Sequence, residues 1–342
     1  MQLIFCISKL DNSGPARGLV ALANGLSQSH KVKIFYFKNN EKQSVNIKQS
    51  INANIEVLKY NRQLSVDLQK SREKTTIISM CFLSDFLVPI VFMKMRKAIY
   101  IRGNLFRNYW YDYRFSGVIL AVIHYLMTLC YDKCFVLNKE EYSRVSKINK
   151  NTFIVPNCID EQVMNWEVSE QSLEFDFIFV GNLNERKQPE LYIRAVMALA
   201  KKCEGRLKAA VVGGGPLENE LKRVINTQDM NDCIQMIGKV DDVYSYLRRS
   251  SVFVLPSLSE GTPRAAMEAL ANGNIIVLRD VANNAELLTV GETGFLFKND
   301  RDLLTAMEDA LVLSKKQQYR GRNLLPQKFR QSNVITKLED VL

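Results

Sequence analysis

The chain has 342 residues, 47% hydrophobic and 24% charged, with 8 Pro and 16 Gly, which excludes a disordered or fibrous protein and leaves room for about two domains of 100–200 residues each. Two histidines, His30 and His124, are too few for an imidazole-built zinc or iron site, and seven scattered cysteines without a C-x-x-C pair read as reduced thiols of a cytosol. The net charge of +10 is uneven: residues 1–150 hold 23 Lys/Arg against 10 Asp/Glu, and residues 151–342 hold 23 against 26, so only the first half favours an anionic surface or partner.

The opening MQLIFCISKLDNSG is an apolar run broken at once by turn residues, the pattern of a first strand rather than of a cleavable signal peptide. A helix over 18–29, the strand KVKIFYF, a polar stretch to Asn54 and the strand IEVLKY follow. TTIISMC, a helix over 85–95, AIYIR, an apolar helix, KCFVLN, a short helix from Lys139 and TFIVPN complete the first half. The apolar segment 116–130 contains His124 and falls short of the roughly 20 residues a spanning helix needs, so it is expected to be a buried helix. Such alternation predicts a parallel sheet with helices on both faces.

The polar stretch CIDEQVMNWEVSEQSLE reads as a linker, after which the alternation restarts with FDFIFVG, a helix over 189–202, LKAAVVGGG, a helix over 217–226 and CIQMIG. A helix through Tyr244, SVFVLPS, a helix from Pro263, NIIVL, a helix near Asn284, GFLF and a final helical segment follow. The expected organisation is a first Rossmann-like domain over 1–157, a linker over 158–172, a second Rossmann-like domain over 173–325, and a C-terminal helix over 326–342 that packs back on the first domain. The fold class is α/β with parallel sheets, and the cleft between the domains is the expected site.

The segment 255–278, LPSLSEGTPRAAMEALANGNIIVL, is the most informative. A buried strand empties into a Pro/Ser/Gly loop, and a helix begins where Thr262 can cap it and Pro263 can take its first position. Free N–H groups there, with Gly261 beside them, can hold phosphate. Glu260 stands just before that N-terminus, and Glu268 lies about 8 Å along the helix at 1.5 Å per residue. One carboxylate on each side of an anion site suits a nucleotide sugar, with hydroxyls flanking a diphosphate.

EGTPRAAMEALANG resembles the E-x7-E region of the family 4 retaining glycosyltransferases, which have the two-Rossmann GT-B fold. Further segments resemble the family in order. FVGNLNERKQPELYIRA matches its strand, glycine turn and the basic residue that contacts the donor diphosphate, which places Lys187 in that role. Asn182 stands where many members have Arg, and Arg186 is a candidate to supply the charge. AAVVGGGPLENELKRVI resembles the V-G-x-G-P-L turn, with Gly213 and Gly215 allowing close backbone approach. CIQMIGKVDDVYSYLRRSSVFVLPS resembles the segment whose backbone flanks the base, with Gly238, Lys239 and Val240 in that place. VPNCID matches the family's hinge. In the opening loop Gly14 stands where members carry glycines facing the phosphates, and Arg17 contacts phosphate or acceptor, or simply belongs to a loop-to-helix cap. Arg102 and Asn104 occupy the region where many members place a histidine and are acceptor-side candidates. No general-base histidine is expected.

What the resemblance implies is transfer of a sugar, with retention, from a UDP-sugar or a GDP-sugar to an acceptor hydroxyl, a glycan or lipid-linked glycan of bacterial polysaccharide (O-antigen or capsule) synthesis. Lys187 and Glu260 are then catalytic, Glu260 orienting the sugar and Glu268 gripping the ribose, with no cofactor and no metal. The alternatives are a nucleotide-sugar epimerase of the same fold and a non-catalytic scaffold. The segment 94–114 interleaves Lys94, Arg96, Lys97, Arg102, Arg107 and Arg114 with Phe106, Tyr109, Trp110, Tyr111 and Tyr113, a mixture that suits an anionic membrane interface. The expectation is a cytoplasmic enzyme peripheral on the inner face of the membrane, with no nucleic-acid partner because no recognition motif accompanies the charge. The other reading of these aromatics is packing in the first domain's core.

Overall fold

The structure is a computed structural model that describes residues 1–38, 44–70, 74–160, 172–204, 206–316 and 323–342. It divides into one unit of Met1–Glu161 with Gln327–Leu342 and a second of Gln162–Pro326. Most of the segment expected as a linker lies outside the described residues.

The first unit runs β1 (Gln2–Lys9), α1 (Gly14–Leu26), β2 (Lys31–Lys38), α2 (Ser44–Gln49), β3 (Glu56–Lys59), α3 (Arg62–Lys70), β4 (Thr75–Met80) and α4 (Phe82–Val91). It continues through β5 (Arg96–Ile101), α5 (Leu105–Tyr113), α6 (Phe115–Met127), β6 (Lys133–Val136), α7 (Lys139–Val145) and β7 (Thr152–Ile154). All seven strands are parallel in the order β3-β2-β1-β4-β5-β6-β7. The strands β1 and β4 are buried along nearly their whole length, as a sheet covered on both faces demands.

The second unit runs β8 (Phe175–Val180), α8 (Pro189–Lys202), β9 (Ala209–Val212), α9 (Glu218–Thr227), β10 (Ile234–Gly238) and α10 (Val243–Arg248). Then come β11 (Ser250–Leu255), α11 (Arg264–Ala271), β12 (Ile275–Arg279), β13 (Gly294–Phe297) and α12 (Asp300–Lys316). Its parallel order is β10-β9-β8-β11-β12-β13. Both sheets reverse direction of growth beside their first strand, and the loops leaving that point diverge to open a crevice at the carboxyl ends.

The last helix, α13 (Gln331–Glu339), belongs to the first unit. Gln331 Nε2 donates to the Ala21 carbonyl at 2.6 Å, and Ile335 lies where a Cβ on Gly25 would collide with it at 2.5 Å. Gly25 is thus the notch in α1 that receives α13.

The apolar helix of 116–130 departs from the expectation. In α6 the outward side chains are Phe115, Val118, Ile119, Val122, Ile123 and Leu126, exposed at 81%, 38%, 64%, 43%, 42% and 53%. Its buried side carries Gly117, Ala121, His124 and Tyr125. The roll is set by polar partners: His124 Nε2 meets Asp85 Oδ2 at 3.1 Å, Tyr109 Oη meets His124 Nδ1 at 2.6 Å, and Ser79 donates to Asp85 Oδ1 at 2.6 Å. Tyr125 donates to Glu141 Oε2 at 2.7 Å. A Cβ on Gly117 would meet the Tyr109 carbonyl at 2.0 Å, so α5 and α6 close up on a bare backbone there. Turning the apolar face inward would take His124 from Asp85 and Tyr125 from Glu141, buried carboxylates at 2% and 0% exposure, leaving them only Ser79 and Arg144.

Candidate active site in the second unit

The crevice of the second sheet lies between the carboxyl ends of β8 and β11. The loop after β8 turns through a short 3-10 helix, Glu185–Lys187, whose cap Asn184 accepts from the Lys187 amide at 3.1 Å. Gln188 then takes a left-handed conformation, φ 53°, and Pro189 opens α8. Lys187 is therefore held by backbone turns on both sides. Its Nζ reaches Glu260 Oε1 at 2.5 Å, on the loop after β11.

The two loops are tied together as well. The Arg186 carbonyl accepts from the Leu258 amide at 2.9 Å, and Arg186 Nη1 donates to the Ser259 carbonyl at 2.9 Å. The guanidinium thus buttresses the residue before Glu260. Burial works against the ionised form of Glu260, but the Lys187 ammonium and the Arg186 guanidinium outweigh it and hold the carboxyl below its ordinary value. Burial lowers Lys187, against the raising pull of Glu260.

Gly261, Thr262 and Pro263 are buried behind Glu260. The start of α11 corrects the sequence expectation by one residue: Pro263 is the cap, extended at φ −70° and ψ 110°, and Arg264 is the first helical residue. Thr262 is therefore not the cap, because proline's extended ψ delays the first helical turn. Glu268 is fully buried, at 0% exposure. Its Oε1 accepts from Arg264 Nε at 2.9 Å. Sequence reasoning passed over Arg264, although the i,i+4 spacing from Arg264 to Glu268 is a signal for such a pair.

The glycines after β9 serve backbone packing. A Cβ on Gly213, φ 136°, would meet the Gly181 carbonyl at 1.9 Å, and one on Gly215 would meet Asn182 Oδ1 and the Leu183 carbonyl at 2.5 Å. The turn after β9 thereby presses on the turn after β8 and positions Asn182, which is exposed. The Gly238 carbonyl accepts from Gly213 N at 2.8 Å, Lys239 is exposed and Val240 is half-buried at the end of β10. Lys187 and Glu260 are directly joined, and Arg186 reaches the adjacent Ser259 carbonyl. Glu268 sits about one helical turn into α11, and Asn182, Gly213, Gly215 and Gly238 line the neighbouring turns.

In the first unit, Gly14 begins α1 with open space where a Cβ would stand. Arg102 Nη2 donates to Asn157 Oδ1 at 2.7 Å and lies over the bare backbone of Gly18, where a Cβ would meet it at 2.7 Å. Arg17 is half-buried on the same helix. Asn104 is buried and engaged, accepting from the Arg107 amide at 3.0 Å as the cap of α5. Of the basic and aromatic set, Lys94, Arg96, Arg107, Arg114, Phe106, Trp110 and Tyr113 are exposed. Tyr109 is buried, and Lys97 folds back to the Met93 and Met95 carbonyls at 3.0 and 2.8 Å. Among the described residues no group of three or more His, Cys, Asp or Glu is placed to hold a metal ion.

Residues 161–324 match the family described as glycosyl transferases group 1. Over 345 residues the chain is 23% identical to a GalNAc-alpha-(1->4)-GalNAc-alpha-(1->3)-diNAcBac-PP-undecaprenol alpha-1,4-N-acetyl-D-galactosaminyltransferase of Campylobacter jejuni, covering 92% of this chain and 88% of that one. It is 22% identical over 371 residues to the O-antigen biosynthesis glycosyltransferase WclY of Escherichia coli, covering 100% and 98%. Among solved structures, Anabaena HepE in complex with UDP matches with a TM-score of 0.75 at 14% identity over 99% of both chains. Two parallel-sheet α/β domains of the GT-B kind are thus common to this chain and its structural neighbours. The second unit carries the glycosyl transferases group 1 region, and the protein is a glycosyltransferase.

Proposed function

We propose that the protein is a retaining glycosyltransferase that moves a sugar from a nucleoside diphosphate donor, a UDP-sugar in preference to a GDP-sugar, to a hydroxyl of a lipid-linked glycan in surface-polysaccharide assembly. The observation that carries this reading is the pairing of half-buried Lys187 with buried Glu260 at the carboxyl ends of β8 and β11, with Glu268 buried at the E-x7-E spacing. Relatives whose names specify an undecaprenol-linked acceptor and O-antigen synthesis favour the lipid-linked acceptor.

As the bond from the anomeric carbon to the β-phosphate oxygen breaks, negative charge builds on that phosphate. Lys187 and the amides at the start of α11 bind that developing charge more strongly than they bind the intact donor. Glu260, kept ionised by two cations, accepts from sugar hydroxyls. Glu268 accepts from the ribose, sharing with Arg264, since a carboxylate has about four acceptor sites. The departing phosphate oxygen takes the acceptor proton, which dispenses with a histidine base. Reaction on the cytoplasmic face of the membrane, without a divalent metal, completes the reading.

The test is to offer a panel of UDP- and GDP-sugars with a lipid-linked acceptor, in EDTA, and to read the new linkage by proton NMR. The expected product keeps the donor's anomeric configuration. Inversion would overturn the mechanism, and loss of turnover in EDTA with rescue by Mg²⁺ or Mn²⁺ would overturn metal independence.

A further inference from the structure

The outward face of α6 is a contiguous row of exposed apolar side chains. Phe115, Val118, Ile119, Val122, Ile123 and Leu126 recur at the 3, 4, 7, 8 and 11 offsets of one helical stripe, and all are exposed. A stripe of this kind normally faces a core, and a contiguous exposed one marks an interaction site. Trp110 of α5 extends it, its ring packed edge-on against Phe115 at 5.2 Å between centroids. The roll is fixed from inside by Asp85, His124, Tyr109, Tyr125 and Glu141, so the face cannot turn away from solvent without breaking a buried network.

The surroundings of the stripe decide what covers it. Residues 94–127 contain six Lys/Arg and a single acid, Asp112. Of these, Lys94, Arg96, Arg107 and Arg114 are exposed. A second copy of the chain would bring these cations against their own kind. Anionic headgroups complement them, and Trp and Tyr suit the headgroup boundary. With 13 residues α6 is about 20 Å long, too short to span. Among the described residues no helix is long and apolar enough to cross a membrane. A short helix with an apolar face and basic flanks lies in the interfacial plane.

We infer that the Phe115–Leu126 face of α6, with Trp110 beside it, inserts into the acyl boundary of an anionic lipid bilayer and holds the enzyme there. This deepens the lipid-linked reading above and rests on it for its biological purpose. It also changes the expected mode of attachment. Charge alone would be released by salt, whereas side chains placed among acyl chains resist it.

The experiment uses the full chain and vesicles of one-quarter phosphatidylglycerol in phosphatidylethanolamine. In a W166F background Trp110 is the sole indole, and lipids brominated along the acyl chain report its depth. The expected result is sedimentation with these vesicles that persists in about 1 M salt, where the screening length is about 3 Å, together with quenching of Trp110. I119S/I123S should lose at least tenfold in vesicle affinity while its calorimetric titration with UDP matches wild type. Salt-released binding without quenching would overturn insertion in favour of charge-only docking. Absence of vesicle binding, with a dimer that I119S/I123S converts to monomer, would give the face to a second copy instead. Failure of the wild type to bind UDP counts against the donor reading alone, because Trp110 quenching reads the face independently.

Discussion

The loops after β8 and β11 and the helix α6 solve opposite problems. In the second unit, Lys187, Glu260 and Glu268 are drawn into the end of an apolar sheet, each with a cation or anion in reach. In the first unit, α6 turns its own histidine and tyrosine inward and leaves six apolar side chains to solvent. Leaving side chains of that size exposed forgoes about 1.5–3 kcal/mol each. In both places a polar network overrules the usual partition of residues. The difference is what the network leaves unused: buried charge facing a crevice in one case, apolar surface in the other.

The largest expected effect comes from removing one member of the Lys187–Glu260 ion pair. Lys187→Ala takes from buried Glu260 the nearer of its two cations and leaves Arg186, and denaturant unfolding should register a loss of about 3 kcal/mol. Turnover should fall more than tenfold, about 1.4 kcal/mol or more. Lys187→Ala combined with Glu260→Gln should recover most of the stability and none of the turnover. Recovery of both would mean that the pair is structural only.

The network beneath α6 comes next. His124→Leu strands Asp85, whose carboxyl is pushed up by burial against the opposing pull of His124 and Ser79, and should cost about 1–3 kcal/mol. Ile119→Ser, on the outer face of the same helix, should stay within about 0.5 kcal/mol of wild type. Equal losses would place Ile119 in a core and contradict the roll of the helix. Thermal unfolding of the two variants side by side reads the difference.

The smallest effect is on pH. Glu260 titrates below its ordinary value of 4.5 in the folded chain, so the stability it contributes is present above that value and is lost as pH falls through the depressed folded value. The double variant lacking Lys187 and Glu260 charges should show a shallower decline in that acid range than wild type. Parallel curves would show that Glu260 is not held ionised.

Much of the second unit was legible in its residues. The alternation of apolar runs with helical patterns predicted each of its strands, and the E-x7-E spacing marked Glu260 and Glu268 before any contact was known. Arg264 was equally available from its spacing to Glu268. The pairing of Lys187 with Glu260 was not, since the two are 73 positions apart. Nor was the use of Gly213 and Gly215 to seat the β9 turn against the β8 turn, which arises only when two distant loops are stacked at the same sheet end. Thr262 read as a helix cap because its side chain is of the right type, and the extended Pro263 displaced it.

The sequence by itself determined the two parallel α/β units, the loop that carries Glu260, and the apolar segment 116–130 whose helical spacing makes 115–126 a stripe once it is a helix. Only the tertiary structure decided which way that stripe faces. Periodicity says which side chains share a helix face, because 3.6 residues make a turn wherever the helix lies. It does not say which face is inward. For α6 that was settled by Asp85 and Glu141, 39 positions before His124 and 16 after Tyr125, whose burial costs least when these two side chains point toward them.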